Sequence, residues 1–503
     1  MVYIVQWRRQ IHVARRRGTI DLTEVLESRL LIDGQWREAE FNKTLTVDNP
    51  ATGRALADVA DASVADAALA VQSAAQVQEQ WSRTSPQTRS DMLYRAYELV
   101  LSRSERLARI VTLEMGKPLP EAHAEVRYAA GFLRWFSEAA VRITGEFRDS
   151  NDGLSRWMVR KEPVGPALLI TPWNFPIAMA ARKIGPALAA GCTAVLKPAP
   201  QTPLSSLALA EIFIEAGIPA GVLNVIPTST AADVVRPLLH GGDIRKLSFT
   251  GSTAVGRILL EQCGPRIVRT SLELGGNAPF IVFDDADVDR AVDGAMDAKM
   301  RNMGQACTAA NRFLVAAPIA DEFSTRFAAR MGQLRVGDGL DDGIEVGPLI
   351  DQQAREKVDR LVRDSQSRGA TTLIGGTSPE RDGYFYSPTV LTGVPLGSPI
   401  VNEEIFGPIA SIQTFDTEAE AIEIANSTPW GLAGYVFTTD LDRAFRASER
   451  LAVGMVGLNT GIVSNPAIPF GGIKESGVGR EGGLTGIDEF LEQKLITVPI
   501  AAH

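Results

Sequence analysis

A thiol, a carboxylate and an amide in this sequence have neighbours suited to covalent chemistry at a carbonyl carbon. Cys307 lies in KMRNMGQACTAA (299–310), among small and polar residues and a few positions after Lys299 and Arg301. Glu273 lies in SLELGGNAPF (271–280), where a strand-like run gives way to paired glycines. Asn174 lies in TPWNFP (171–176), a loop stiffened by prolines on either side of Trp173, Asn174 and Phe175. A thiol is a soft nucleophile, a carboxylate tuned upward by burial can act as a base, and a rigidly held amide can donate to a developing oxyanion. Each also has a plainer reading: an inert core cysteine, a strand-end acid, and a tight turn with a buried tryptophan.

The remaining thiols point to packing. Cys192 stands in the apolar AAGCTAVL, and Cys263 precedes Gly264 and Pro265 at a helix end. The histidines, at 12, 123, 240 and 503, sit in no motif, so a Cys–His pair and a histidine metal site are both unsupported and no metal is expected.

These groups need a frame. From 160 onward short β-rich runs (167–170, 193–197, 222–226, 246–250) alternate with helical stretches (177–190, 204–217), the pattern of βαβ units and a parallel sheet. Right-handed crossovers then make the strand C-termini a ligand-binding edge. Trp173 and Asn174, Lys197, and Gly251 all fall just after such runs. In FTGSTAVG (249–256), Gly251 and Gly256 surround Ser252 at a strand-to-helix turn, where backbone amides can approach a phosphate. The spacing is neither GxGxxG nor a P-loop, and a plain βα turn is an even alternative. Lys197 suits ribose or phosphate, and otherwise reads as a surface lysine. A second α/β section starts near 276, with strand candidates through 454–459. Residues 63–145 read as helical, with Ser63 and Asp66 forming an N-cap signal, and nothing in them looks chemical.

With 503 residues, two or three domains are expected, and 45% hydrophobic content supplies a full core. A net charge of -9 argues against general nucleic-acid binding, and no apolar run is long enough to span a bilayer. Three widely spaced cysteines make no disulfide framework and fit a reducing compartment, the cytoplasm. Arg8, Arg9, Arg15, Arg16 and Arg17 precede any acid, as in a mitochondrial leader, yet no serine occurs before Ser28. A frayed extension or a start site placed too early is the favoured reading of 1–28.

Over roughly residues 29–498 the chain resembles the aldehyde dehydrogenase superfamily. The motifs are PWNFP, GCTAVLKP, FTGSTAVG, LELGGNAP, GQAC, EEIFGP (403–408) and PFGGIKESGVGRE (469–481), in the family's order. The resemblance implies an α/β fold: a Rossmann-like cofactor domain (29–145 and 161–275), an α/β catalytic domain (276–468), and a small β oligomerisation arm (146–160 and 484–503). It implies that Cys307 attacks the aldehyde to give a thiohemiacetal, with Asn174 and the Cys307 backbone N–H holding the oxyanion. Hydride transfer to the nicotinamide leaves a thioester, which Glu273 hydrolyses by activating water. Glu404 binds the nicotinamide ribose with Phe406 packed nearby; Lys197 binds the adenosine ribose; Trp173 and Ser252 contact the pyrophosphate; Gly251, Gly256 and Leu274 complete the cofactor site. NAD-preferring relatives commonly carry a glutamate where this chain has Pro200, so NADP is expected to be tolerated and is favoured over NAD, although Pro200 offers no hydroxyl to its phosphate.

Within the superfamily, AMAARK (178–183), KMRNMGQAC (299–307) and GIVSNPAIPFGG (461–472) resemble succinate-semialdehyde dehydrogenases. That likeness implies that Arg182, Arg301 and Ser464 hold the distal carboxylate of the substrate, as guanidinium forks are suited to do. The plainer readings are an exposed helical arginine at 182 and a helix C-terminal cation at 301. Ala309 stands where some relatives carry a second cysteine, so a local disulfide switch is impossible. Ala306 stands where threonine or valine is common, which widens the tunnel and keeps glutarate semialdehyde open. A CoA-acylating enzyme is disfavoured by Glu273, and a non-catalytic binding protein by the intact Cys307, Glu273 and Asn174. A homodimer or homotetramer is expected.

Overall fold

The computed structural model describes residues 26–500. The N-terminal arginines and the last three residues of the arm segment therefore lie outside the described residues.

The first sheet has eight strands. Its core runs Leu223–Val225, Ala194–Lys197, Ala167–Ile170, Lys246–Thr250, Arg269–Glu273, all parallel. Strand order therefore reverses between Ala167–Ile170 and Lys246–Thr250, which is where an open α/β sheet leaves a crevice beyond its strand C-termini. Alternate side chains feed opposite layers. Ala167 and Leu169 join the core under the helices Pro176–Ala190 and Pro203–Glu215, whereas Leu168 and Ile170 join the one under Val64–Ser82 and Ala231–Gly241. Burial on both faces explains why these strands read as continuous apolar runs.

The second sheet orders seven strands as Thr371–Ile374, Thr389–Thr392, Ile409–Phe415, Ala310–Ala316, Ala278–Val282, Ala433–Phe437, Met455–Leu458. All pairings are parallel except that of Thr371–Ile374 at one edge. A third sheet pairs Leu491–Pro499, Ser155–Pro163 and Glu146–Asp149 in antiparallel fashion. Its middle strand runs three residues past 160. Gly477–Val478, outside every anticipated segment, returns to pair antiparallel with Arg269–Glu273.

The helix Val64–Ser82 opens with a full capping box: Ser63 Oγ accepts from Asp66 N, and Asp66 accepts from Ser63 N. Strands Leu30–Ile32, Gln35–Arg37, Thr44–Asn49 and Arg54–Ala60 precede it, in a stretch for which the sequence predicts no strand.

Candidate active site

Cys307 lies between the helix Val288–Met300 and the strand Ala310–Ala316. Asn302, Met303 and Gly304 adopt left-handed backbone conformations in succession (φ 53°, 54° and 74°), which turns the chain sharply. At Gly304 a Cβ would run into the Gly407 carbonyl, so only glycine fits. Gln305 ties the turn down. Its Oε1 accepts from Ile350 N at 3.0 Å, and its carbonyl accepts from Asn174 Nδ2 at 2.9 Å and Asn302 Nδ2 at 3.0 Å. The loop carrying Asn174 and the loop carrying Cys307 are therefore directly bonded, and one of the two Asn174 amide hydrogens remains uncommitted to Gln305.

A cavity of about 510 Å³ opens at the sheet's switch point and is lined by Cys307, Asn174, Glu273, Glu404, Arg182 and Arg301 among others. Burial pushes the Cys307 thiol up to about 12; Arg182 opposes this, while Glu404 and Glu273 add to it. The thiol is therefore protonated at neutral pH and needs a base to become a nucleophile.

Glu273 ends its strand fully desolvated, and its Oε2 has no hydrogen-bond partner. Burial first, and then the charge of Glu481, raise its pKa well above the ordinary carboxylate value. Glu481 is held the other way: Lys183 Nζ lies at 2.5 Å and Arg182 Nε at 2.6 Å, and these cations outweigh its own burial and keep it ionised. The pKa values of two neighbouring carboxylates are thus driven apart, Glu481 downward and Glu273 upward. The sequence reading assigned no role to Glu481, although it closes the motif 469–481. Its partner Lys183 is 298 residues away, so no local signal joins them.

Also lining the cavity, Gly251 and Ser252 follow Lys246–Thr250 and open the helix Thr253–Cys263, with Ser252 Oγ accepting from Val255 N. The turn therefore presents a helix N-terminus beside a hydroxyl still free to donate. Trp173 and Phe406 meet edge to face, centroids 5.4 Å apart. Glu404 lies over Gly275, where a Cβ would come within 2.9 Å of its Oε2, and its Oε1 accepts from Gly276 N at 3.3 Å. Burial raises the Glu404 pKa to about 7. This glycine-floored groove, with a carboxylate to accept from hydroxyls and amides to receive phosphate, fits a dinucleotide. Leu274 lines it too, but Lys197, Pro200 and Gly256 do not. Gly256 instead lets its helix approach Leu274, where a Cβ would fall 2.6 Å from Cδ2. Lys197 is no surface lysine: it is buried, donates to the Pro198 carbonyl, and has its pKa lowered to about 8 by desolvation.

Arg182 is not an exposed helical arginine either. It is 2% exposed, its guanidinium lies 3.7 Å over the Phe470 ring, and Nη2 has no partner. Arg301 follows the helix Val288–Met300 and stacks 4.9 Å over Phe175. Ser464 Oγ bonds the hydroxyl of Tyr128, which also lines the cavity. Tyr128 comes from the region 63–145, in which the sequence had shown nothing chemical. The structure corrects that: Tyr128 reaches the cavity from the helix Leu119–Ala140, while Glu125 of that helix and Lys117 just before it bond the backbone around Asn174. Among the described residues, no group of three or more His, Cys, Asp and Glu could hold a metal ion, and no helix is long and apolar enough to cross a membrane.

Residues 36–496 match the model of the aldehyde dehydrogenase family. The chain is 53% identical to a succinate-semialdehyde dehydrogenase of Paenarthrobacter nicotinovorans, over 88% of its own length and 98% of that protein. It is 47% identical to a glutarate-semialdehyde dehydrogenase of Pseudomonas putida, over 95% and 99%. Among solved structures, an E. coli NADP-dependent enzyme superposes with a TM-score of 0.94 at 46% identity, over 96% of this chain and 100% of that one. With a switch-point sheet, a cysteine lining the cavity and these likenesses over nearly its whole length, the chain belongs to the aldehyde dehydrogenase family and is an NAD(P)-dependent aldehyde dehydrogenase.

Proposed function

We propose that this enzyme oxidises a short semialdehyde bearing a distal carboxylate, succinate semialdehyde foremost, to the dicarboxylic acid. The carrying observation is one cavity lined by the Cys307 thiol, the Glu273 carboxylate and the carboxylate-binding set Arg182, Arg301 and Ser464. The unpartnered Nη2 of Arg182 supports the assignment, because a buried guanidinium donor without an acceptor is a costly feature unless a ligand completes it. The names of the relatives at 53% and 47% identity point the same way.

In this reading Cys307 releases its proton to solvent water and its Sγ attacks the aldehyde carbon. Asn174 Nδ2 and the Cys307 backbone N–H face the oxygen that becomes negative. The bound nicotinamide supplies the hydride acceptor. Glu273 then takes a proton from the water that hydrolyses the Cys307 thioester. Glu404 would hold the nicotinamide ribose, while Trp173, Gly251 and Ser252 would face the pyrophosphate. Lys197 would serve the adenosine ribose from the next strand end. The absence of an acid in Lys197-Pro198-Ala199-Pro200 supports acceptance of NADP alongside NAD, as does the likeness to an NADP-dependent enzyme. The apolar side chains exposed on the third sheet, Phe147 at 66% and Leu495 at 60%, support its role as an arm in a homodimer or homotetramer. A reducing compartment, the cytoplasm, suits three unpaired thiols.

Glutarate semialdehyde is the second reading, favoured by Ala306 in the cavity wall, where a small side chain leaves space. One methylene in an apolar pocket discriminates by only about 1–3 kcal/mol, so both acids are expected to turn over. The test is steady-state kinetics on succinate and glutarate semialdehydes and on butanal, each with NAD+ and NADP+. The expected result is a kcat/KM for succinate semialdehyde at least about 100-fold above that for butanal, given charge-assisted bonds of about 1.5–3 kcal/mol each. Arg301→Met should erase most of that gap. Equal use of butanal would refute the carboxylate assignment.

A further inference from the structure

We infer that Lys117 and Glu125, a buried ion pair outside the cavity, are positioning residues that aim the Asn174 amide at the reacting oxygen. The inference rests on the oxyanion role proposed for Asn174. Both side chains are fully buried, with Lys117 Nζ 2.5 Å from Glu125 Oε2. Neither lines the cavity. Their remaining bonds all go to the chain around Asn174. Lys117 Nζ donates to the Asn174 carbonyl at 2.9 Å and sits 4.0 Å over the Phe175 ring. Glu125 Oε1 accepts from Ile177 N at 2.9 Å and Ala178 N at 3.2 Å.

Those two N–H groups lie in the first turn of Pro176–Ala190, whose N-cap, Phe175, has no capping side chain. A helix start without a cap leaves orphan donors, and Pro176 removes only its own. Glu125 supplies the missing acceptor from a neighbouring helix, and Lys117 neutralises it while gripping the peptide just upstream. The Asn174 carbonyl has a second donor, Asn302 Nδ2 at 3.0 Å, from the loop that leads to Cys307. Residue 174 is therefore held at its carbonyl from two sides and at the following helix turn from a third. Its side chain is left with the bond to Gln305 and the cavity. A stiff loop with prolines fixes conformation; the ion pair fixes where that conformation sits. Misplacing a catalytic donor by about 1 Å costs about 100-fold in rate, which is ample reason to bury such a pair here.

The test is a double-mutant cycle. Lys117→Met keeps the stem and deletes the donor to the Asn174 carbonyl. Lys117→Met/Glu125→Gln deletes both charges while leaving an acceptor for Ile177 and Ala178, so it keeps the experiment decisive should the single variant fold poorly. Each is made in the natural sequence and in Asn174→Ala. Read-outs are kcat and KM for succinate semialdehyde, NADP+ affinity by quenching of protein fluorescence, and Tm. The expected result is a fall in kcat of about 10- to 100-fold with KM and cofactor affinity within about 3-fold, and no further fall when Asn174 is already alanine. Losses that multiply with that of Asn174→Ala, or that strike cofactor affinity and kcat together, would overturn the inference while leaving the oxyanion role of Asn174 intact. Full turnover in Asn174→Ala alone would overturn both.

Discussion

Burial shifts both the thiol and the carboxylate of this site toward their protonated forms. Cys307, pushed up to about 12, is a thiol at neutral pH, and burial and then Glu481 raise Glu273 well above the ordinary carboxylate value. Two predictions follow from the signs. Alkylation of Cys307 by iodoacetamide in the cofactor-free enzyme should be slow at pH 7 and rise with pH throughout the range to 9, because only the thiolate reacts. A fast, pH-independent reaction would show the thiol already ionised. For Glu273 the base form appears as pH rises, so kcat should climb along a limb whose apparent pKa lies well above 4.5, a value belonging to the Glu273–Glu481 pair. Glu273→Gln should remove that limb and lower kcat by about 10²–10⁴. Cys307, Glu273 and Asn174 were legible in the sequence because each sits in a short contiguous motif. Glu481, Tyr128, Lys117 and Glu125 were not, because what gives them meaning is a partner far along the chain: Ser464 is 336 residues from Tyr128.

At the scale of elements, the site depends on strand ends and helix starts meeting at the switch point of one sheet. The alternation of apolar strands and helices was readable because burial on both sheet faces leaves long uninterrupted apolar runs. The three-residue strands near the N-terminus were not: Leu30–Ile32 is too short to show a period, and its place is set by pairing with Val225 far downstream. Gly256 had been read as a cofactor contact, but its lack of a side chain serves the packing of a helix on Leu274. Gly256→Val should therefore cost about 1–3 kcal/mol of stability by overpacking, seen as a lower Tm, and weaken NADP+ binding by shifting the helix start at Ser252. Lys183→Met should be harsher. It leaves Glu481 with one ion-pair partner, Arg182, among the described residues, and breaking a buried pair costs about 3–5 kcal/mol. Glu481 has a lowered pKa, so the stability it contributes is present above the ordinary carboxylate value and is lost as pH falls through its own. The Tm gap between Lys183→Met and the natural enzyme should thus shrink in acid.

For the whole molecule, two largely parallel sheets supply the loops that line one cavity, and the third sheet exposes apolar side chains such as Phe147 and Leu495. The arm proposal predicts that Leu495→Asp/Val498→Asp shifts the enzyme to a smaller species in light scattering, with each subunit still folded. An unchanged mass would argue against it. The central claim concerns chemistry rather than assembly: that the aldehyde carbon becomes bonded to Cys307 Sγ. It is tested most directly by following formation of reduced cofactor from succinate semialdehyde by the natural enzyme and by Cys307→Ala. The account predicts steady NADPH formation by the first and none above background by the second, with NADP+ binding retained. Turnover by Cys307→Ala would contradict it.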